Sequence, residues 1–186
     1  METRIKSYFE SLIQAAGQAP AKDIERAILD INRAINEGRS IFTCGNGGSA
    51  LTASHFVTDW TKMSWVNKRK QLRAFCLNDN IGALTAYAND INYESIFATA
   101  LESYASVGDV LMAVSGSGNS ENVLAAAKVA KELGVNTIGL VGFDGGKLKG
   151  MVDICVHFKV NDMQIVEDLH LSIGHIIMKA TCANDE

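Results

Sequence analysis

Residues 40–50 read SIFTCGNGGSA, and residues 110–122 read VLMAVSGSGNSEN. In each, an apolar run of strand length ends in a loop of glycine, serine and asparagine, and a helical stretch follows. Three further apolar runs have the same length and character: Leu72–Leu77, Val135–Val141 and Asp153–Phe158. Their near-continuous hydrophobicity predicts strands buried on both faces. The segments between and around them carry helical period. Ile24, Ala27, Ile28, Ile31, Ala34 and Ile35 recur at three and four, as do Val123, Ala126, Ala127, Ala130 and Leu133. Gly134 then reads as the end of that second helix. Val166, Leu169, Ile173, Ile176, Ile177 and Ala180 mark a last helix. Strands alternating with helices predict parallel βαβ units in a doubly wound α/β sheet. Ligands on such sheets bind beyond the carboxyl ends of the strands, so the loops quoted first are where chemistry is expected.

Two helices precede the first strand, separated near Pro20, the only proline. No linker, internal repeat or low-complexity tract divides the chain. One domain over 1–186 is expected, with the helices of 1–38 packing on it or forming a subunit interface. Hydrophobic residues make up 47% and charged residues 20%, which excludes a disordered chain. The net charge is −4 and no long Lys/Arg stripe exists, so nucleic-acid binding is not expected. Lys68-Arg69-Lys70 reads as a solvated loop. Glu2, Arg4, Lys6 and Glu10 interrupt the N-terminal apolar residues, so no signal peptide is expected, and no run is long enough for a membrane span. Cys44, Cys76, Cys155 and Cys182 show no CxxC spacing and read as reduced core residues of a cytosolic protein.

Three glycines in four positions at 45–48 let the backbone turn sharply and present its N–H groups to a ligand. Ser49 is expected to cap the helix behind them. The loop lacks the G-x-G-x-x-G spacing of dinucleotide sites, and no Gly-Lys-Ser/Thr follows it. In the second loop, Ser115, Ser117, Ser120 and Asn119 converge on one helix N-terminus, a place that favours an anion. Without Lys or Arg there, the loop suits a phosphate monoester held by neutral donors.

His55 and Asp59 lie four apart and share a helix face. That spacing fits a metal pair, a His–carboxylate catalytic pair or an incidental polar pair. The last helix carries Glu167, Asp168, His170 and His175. Glu167 lies two turns from His175 with about 80° of rotation, and Asp168 aligns better. His170 falls in the apolar stripe and reads as a satisfied core histidine. If the two helices face each other, His55, Asp59, one of the acids and His175 make a four-ligand N/O site suited to zinc or another divalent ion.

Taken in order, Gly45-Asn-Gly-Gly-Ser49, His55 with Asp59, Asn89-Asp90, Ser115-Gly-Ser-Gly-Asn-Ser120, Asp144-Gly-Gly-Lys147 and the segment Ile165–His175 resemble the sugar isomerase (SIS) domain family, in its phosphoheptose isomerase branch. The resemblance runs from about residue 20 to the end. It implies a flavodoxin-like five-stranded parallel sheet and a homotetramer with sites between subunits. It further implies conversion of sedoheptulose 7-phosphate to D-glycero-D-manno-heptose 7-phosphate with no organic cofactor. Carried over by position, Asn46, Gly47 and Gly48 contact substrate, with Ser49 beside them, as do Asn89 and Asp90. Ser115, Gly116, Ser117 and Ser120 hold the phosphate. The family's zinc ligands fall on His55, Asp59, Glu167 and His175, which favours Glu167 over Asp168. Asp59 falls on the proton-abstracting base and His175 on the partner acid.

The chain departs from that pattern at four places. Asp59 stands for the usual Glu, and Glu167 for the usual Gln. Gly116 replaces a phosphate-loop Thr, and Met63, with Lys62 beside it, replaces an expected Arg. A hexulose or pentulose phosphate therefore stays open as substrate. So does a second class, the non-catalytic SIS proteins that bind a sugar phosphate or a replication initiator. That class resembles this chain in the phosphate loops but typically lacks the second histidine, and His175 is present.

Overall fold

A computed structural model describes residues 1–67 and 71–182. The basic run Lys68-Arg69-Lys70 lies outside the described residues. Helices α1 (Glu2–Ala16) and α2 (Ala21–Asn36) come first, with Pro20 at the start of α2, as its fixed φ suits. Then follow β1 (Ser40–Gly45), α3 (Gly48–Val66), β2 (Arg73–Cys76) and α4 (Ile81–Asp90). A 3₁₀ turn at Tyr93–Ser95 leads into α5 (Ile96–Tyr104) and β3 (Val110–Ser115). The chain ends with α6 (Glu121–Glu132), β4 (Asn136–Val141), a 3₁₀ turn at Leu148–Gly150, β5 (Ile154–His157) and α7 (Met163–Cys182). Each of the five expected strands is present, with ends within one residue of the apolar runs.

All neighbours pair in parallel, in the order β2-β1-β3-β4-β5. One face of the sheet is covered by α2, α3 and α7 through Ile24, Ile31, Phe56, Trp60, Ile173 and Ile177. The other is covered by α5 and α6 through Phe97, Leu101, Val123 and Ala127. β1 and β3 are buried at every position. The edge strands correct the expectation of burial on both faces. In β2, Arg73 and Phe75 are exposed and Ala74 and Cys76 buried, and β5 alternates likewise between buried and half-buried. An edge strand has a neighbour on one side only, so its period of two survives.

α6 ends as its sequence requires. Gly134 has φ +70°, its N–H donates to Lys131 O, and Val135 N–H donates to Ala130 O, which closes a Schellman motif. The α7 stripe is narrower than its period suggests, because Ile176 is 43% exposed and Ala180 also faces outward.

Strand order reverses between β1 and β3, which leave the first crossover on opposite sides. Gly45 pairs in register with Val114, so the loops after β1 and β3 open side by side at that switch point.

Candidate active site

The first loop turns on Gly47, whose φ of +54° and ψ of −125° are open to glycine and strained for any other residue. α3 starts at the next residue. Ser49 therefore lies inside the first turn rather than at the cap, which corrects that expectation. It is 7% exposed and packs beneath Gly45, where a side chain would meet Ser49 backbone at 2.7 Å. Asn78 fastens the loop from below, donating to Gly45 O at 2.9 Å and accepting from Gly45 N–H at 3.3 Å.

Asn46 joins this loop to the second. Its Nδ2 donates to Asn122 Oδ1 at 2.8 Å, and Asn122 Nδ2 donates back to Asn46 Oδ1 at 2.9 Å. The Tyr93 hydroxyl donates to the same Asn46 oxygen at 3.0 Å. In the second loop the buried Ser115 hydroxyl accepts from Gly118 N–H at 3.2 Å and lies 3.5 Å from the Ser120 hydroxyl. Ser120 starts α6 without a side-chain capping bond, so its hydroxyl and the helix N-terminus face the loop together. Asn119 stays with the serines, its backbone N–H donating to Ser117 Oγ at 3.2 Å and its Nδ2 to Ser117 O at 3.0 Å. Its amide oxygen accepts from Lys147 N–H at 3.1 Å, which ties the loop to the turn after β4. Gly116 leaves a space that the Met163 sulfur fills, 2.5 Å from where a Cβ would stand.

α3 and α7 pack closely enough to bring their polar residues together. Gly174 meets the Phe56 ring with no room for a Cβ, and the buried Trp60 indole N–H donates to Gly174 O at 2.9 Å. One residue beyond, His175 Nε2 lies 3.1 Å from His55 Nε2 and 3.6 Å from Asp59 Oδ2, and His55 Nε2 lies 3.2 Å from the same oxygen. A tetrahedral ion about 2.0–2.2 Å from each donor separates the donors by roughly 3.3–3.6 Å. The triangle thus has the size and the N/N/O donors of a divalent-cation site, and the three are the group among the described residues that could hold one. It is partly open to solvent, with His55 43%, Asp59 26% and His175 44% exposed.

The two acids of α7 take different directions. Asp168 Oδ2 accepts the Tyr8 hydroxyl at 2.7 Å, which pushes that phenol up to about 12. Glu167 turns to the first loop, its Oε1 against the spot where Gly48 would carry a side chain. It lies on the site side but outside the triangle. Asn89 and Asp90 end α4, exposed, with Asn89 donating to Asp90 at 2.8 Å, and among the described residues no hydrogen bond ties either to the loops. Met63 is half-buried against the core, and Lys62 is exposed. Sequence reasoning passed over Asn122, Tyr93, Asn78, Trp60 and Gly174. For Asn122 the signal was its place in the first turn of α6, directly behind the serine loop; the others act through contacts far apart in the chain.

Burial pushes the Cys44, Cys76 and Cys155 thiols up, so none is a ready nucleophile. No helix among the described residues is long and apolar enough to cross a membrane.

The chain matches the model of the SIS domain over residues 6–142. It is 39% identical over 181 residues to the phosphoheptose isomerase of Helicobacter hepaticus, covering 95% of this chain and 91% of the relative. It is also 39% identical over 172 residues to a probable phosphoheptose isomerase of Thermoplasma acidophilum, covering 92% and 94%. Among solved structures, phosphoheptose isomerase GmhA from Neisseria gonorrhoeae superposes with a TM-score of 0.90 at 30% identity, over 97% of each chain.

Proposed function

The chain belongs to the SIS domain family, in its phosphoheptose isomerase branch, and we propose that it is a metal-dependent aldose–ketose isomerase of sugar phosphates. Sedoheptulose 7-phosphate is the substrate we assign, with D-glycero-D-manno-heptose 7-phosphate as product. The observation that carries this is the closure of His55, Asp59 and His175 to within 3.1–3.6 Å of one another. His55 and Asp59 stand on α3, behind the glycine-rich loop, and His175 on α7. The loop itself is hydrogen-bonded through Asn46 to Asn122, in the first turn of α6 behind the serine loop. The relatives' names supply the substrate class. The binding-only alternative gains no observation here, because the second histidine meets the first.

Ser115, Gly116, Ser117 and Ser120 would hold the phosphate at the N-terminus of α6. Hydroxyl and backbone donors with the helix dipole supply the field that no Lys or Arg provides. Asn46, Gly47 and Gly48, with Asn89 and Asp90, would line the sugar. Ser49 supports the loop from beneath. His55, Asp59 and His175 would hold a divalent cation, zinc by donor type, with Glu167 completing the set from the loop side. When bound, the cation would polarise the oxygens on the two reacting carbons.

Asp59 takes the proton from the hydroxyl-bearing carbon next to the carbonyl, and the electron pair forms the enediol double bond. The carbonyl oxygen takes up a proton from His175. In the second half His175 recovers a proton from the other hydroxyl, and Asp59 returns its own to the former carbonyl carbon. With 3.6 Å between His175 Nε2 and Asp59 Oδ2, the two would act from one wall of the cleft. Asp59 Oδ2 is the oxygen that meets both histidines, and Oδ1 would serve as base.

Asp59→Asn tests the assignment. It keeps the shape and removes the base, so conversion of sedoheptulose 7-phosphate should fall by roughly 10²–10⁴-fold. Full activity in the variant would remove Asp59 from the mechanism.

A further inference from the structure

The amide of Asn46 has its orientation dictated from outside the first loop. Val123 N–H donates to Asn122 Oδ1 at 2.9 Å. A backbone N–H only donates, so this bond fixes which end of the Asn122 amide is oxygen. Asn122 is 3% exposed, which leaves its amide no freedom to turn. Its Nδ2 must then face an acceptor, and the atom there is Asn46 Oδ1 at 2.9 Å. Asn46 Nδ2 in turn faces Asn122 Oδ1 at 2.8 Å. The Tyr93 hydroxyl meets Asn46 at its oxygen, so the phenol proton is spent there.

The consequence is a count of what remains for a ligand. Asn46 Oδ1 already accepts two hydrogen bonds, filling both lone pairs. Asn46 Nδ2 has given one proton and keeps one. Asn46 can therefore approach the sugar only as a donor. Tyr93, with its proton committed to Asn46, has no donor left for the sugar. We infer that Asn122 and Tyr93 are positioning residues for the isomerisation, which hold Asn46 as a fixed single-proton donor to a sugar oxygen. Such a donor is worth more to an oxygen gaining charge in the transition state than to the neutral ground state. The two residues also join three motifs in one unit: the glycine loop through Asn46, the start of α6 through Asn122, and the turn after Asn89-Asp90 through Tyr93. This inference rests on the isomerase reading above.

The test uses Tyr93→Phe and Asn122→Asp in the full chain. Tyr93 is 54% exposed, so losing its hydroxyl should leave the thermal midpoint unchanged. In steady-state conversion of sedoheptulose 7-phosphate, Tyr93→Phe should lower kcat roughly tenfold, about the worth of a net hydrogen bond, with KM nearly unchanged. Asn122→Asp, which faces Asn46 Oδ1 with a second acceptor, should lose more. The side-chain amide signals of Asn46 in a ¹⁵N spectrum of the free protein should shift in Tyr93→Phe. Wild-type kcat in Tyr93→Phe overturns the inference, even where Asn122→Asp fails to fold. If the wild-type chain converts no sugar phosphate, the isomerase reading fails and the amide spectrum decides the tie alone. Unmoved Asn46 signals then show that the tie itself is absent, and shifted ones uphold the tie while its role in isomerisation falls with the isomerase reading.

Discussion

Neither ring nitrogen of His170 has a hydrogen-bond partner, and the residue is 1% exposed between α7 and the sheet. Burial lowers its pKa from 6.5 to about 4. The expectation of a core histidine holds, but not that of a satisfied one. The sign of the pH effect follows. The unfolded chain binds the proton below about 6.5, and the folded chain refuses it until about 4. Stability is thus full above pH 6.5 and falls as pH drops through that window, by roughly 2.5 kcal/mol at pH 4.5. Urea midpoints at pH 7.5 and 4.5 should drift apart less in His170→Leu than in the wild type. An equal drift would show that His170 does not carry the acid sensitivity. At this scale the sequence was partly readable. His55 and Asp59 share a helix face by spacing alone, and four residues always do. The choice between Glu167 and Asp168 was not, because it depends on Tyr8, 160 positions away, taking Asp168.

α3 and α7 decide the site, and their contact rests on one small residue. Any Cβ at Gly174 would run into the Phe56 ring, which is itself stacked on Trp60 at 5.3 Å. Gly174→Ala should cost about 1–3 kcal/mol by overpacking. It should also push His175 away from His55, so that affinity for zinc falls further than stability does. Isothermal titration with zinc at a temperature where the variant is folded measures this, and unchanged affinity would separate the helix contact from the triangle. The loops were legible in sequence, because glycine and serine after an apolar run leave few other readings. The facing of the helices was not, since it is a contact between residues more than a hundred positions apart. Nor was the true start of α3. The backbone of Gly47 takes that role from Ser49, and a left-handed φ has no side-chain signature beyond glycine itself.

The whole molecule adds what neither loop nor helix contains. Alternating strands and helices announce a parallel sheet, but the order β2-β1-β3-β4-β5 comes from how crossovers pack. That order is what places the two loops together. Apolar residues also remain outside: Ile5, Phe9 and Ile13 on α1, and Leu51, Trp65 and Val66 along α3. We propose that a homotetramer covers them, with the helices of 1–38 packed on the one SIS domain and sharing in the interface. Sedimentation should give about 80 kDa for four chains of 20.0 kDa. Trp65→Glu, at a position 83% exposed in the single chain, should shift it to smaller species. A wild-type monomer would leave those side chains unexplained. Metal content read beside activity tests the triangle between the helices most directly. The purified protein should carry close to one divalent ion per chain. Conversion of sedoheptulose 7-phosphate should stop when a chelator removes the ion and return when zinc is restored. Metal-free protein that converts the sugar at the full rate would contradict it.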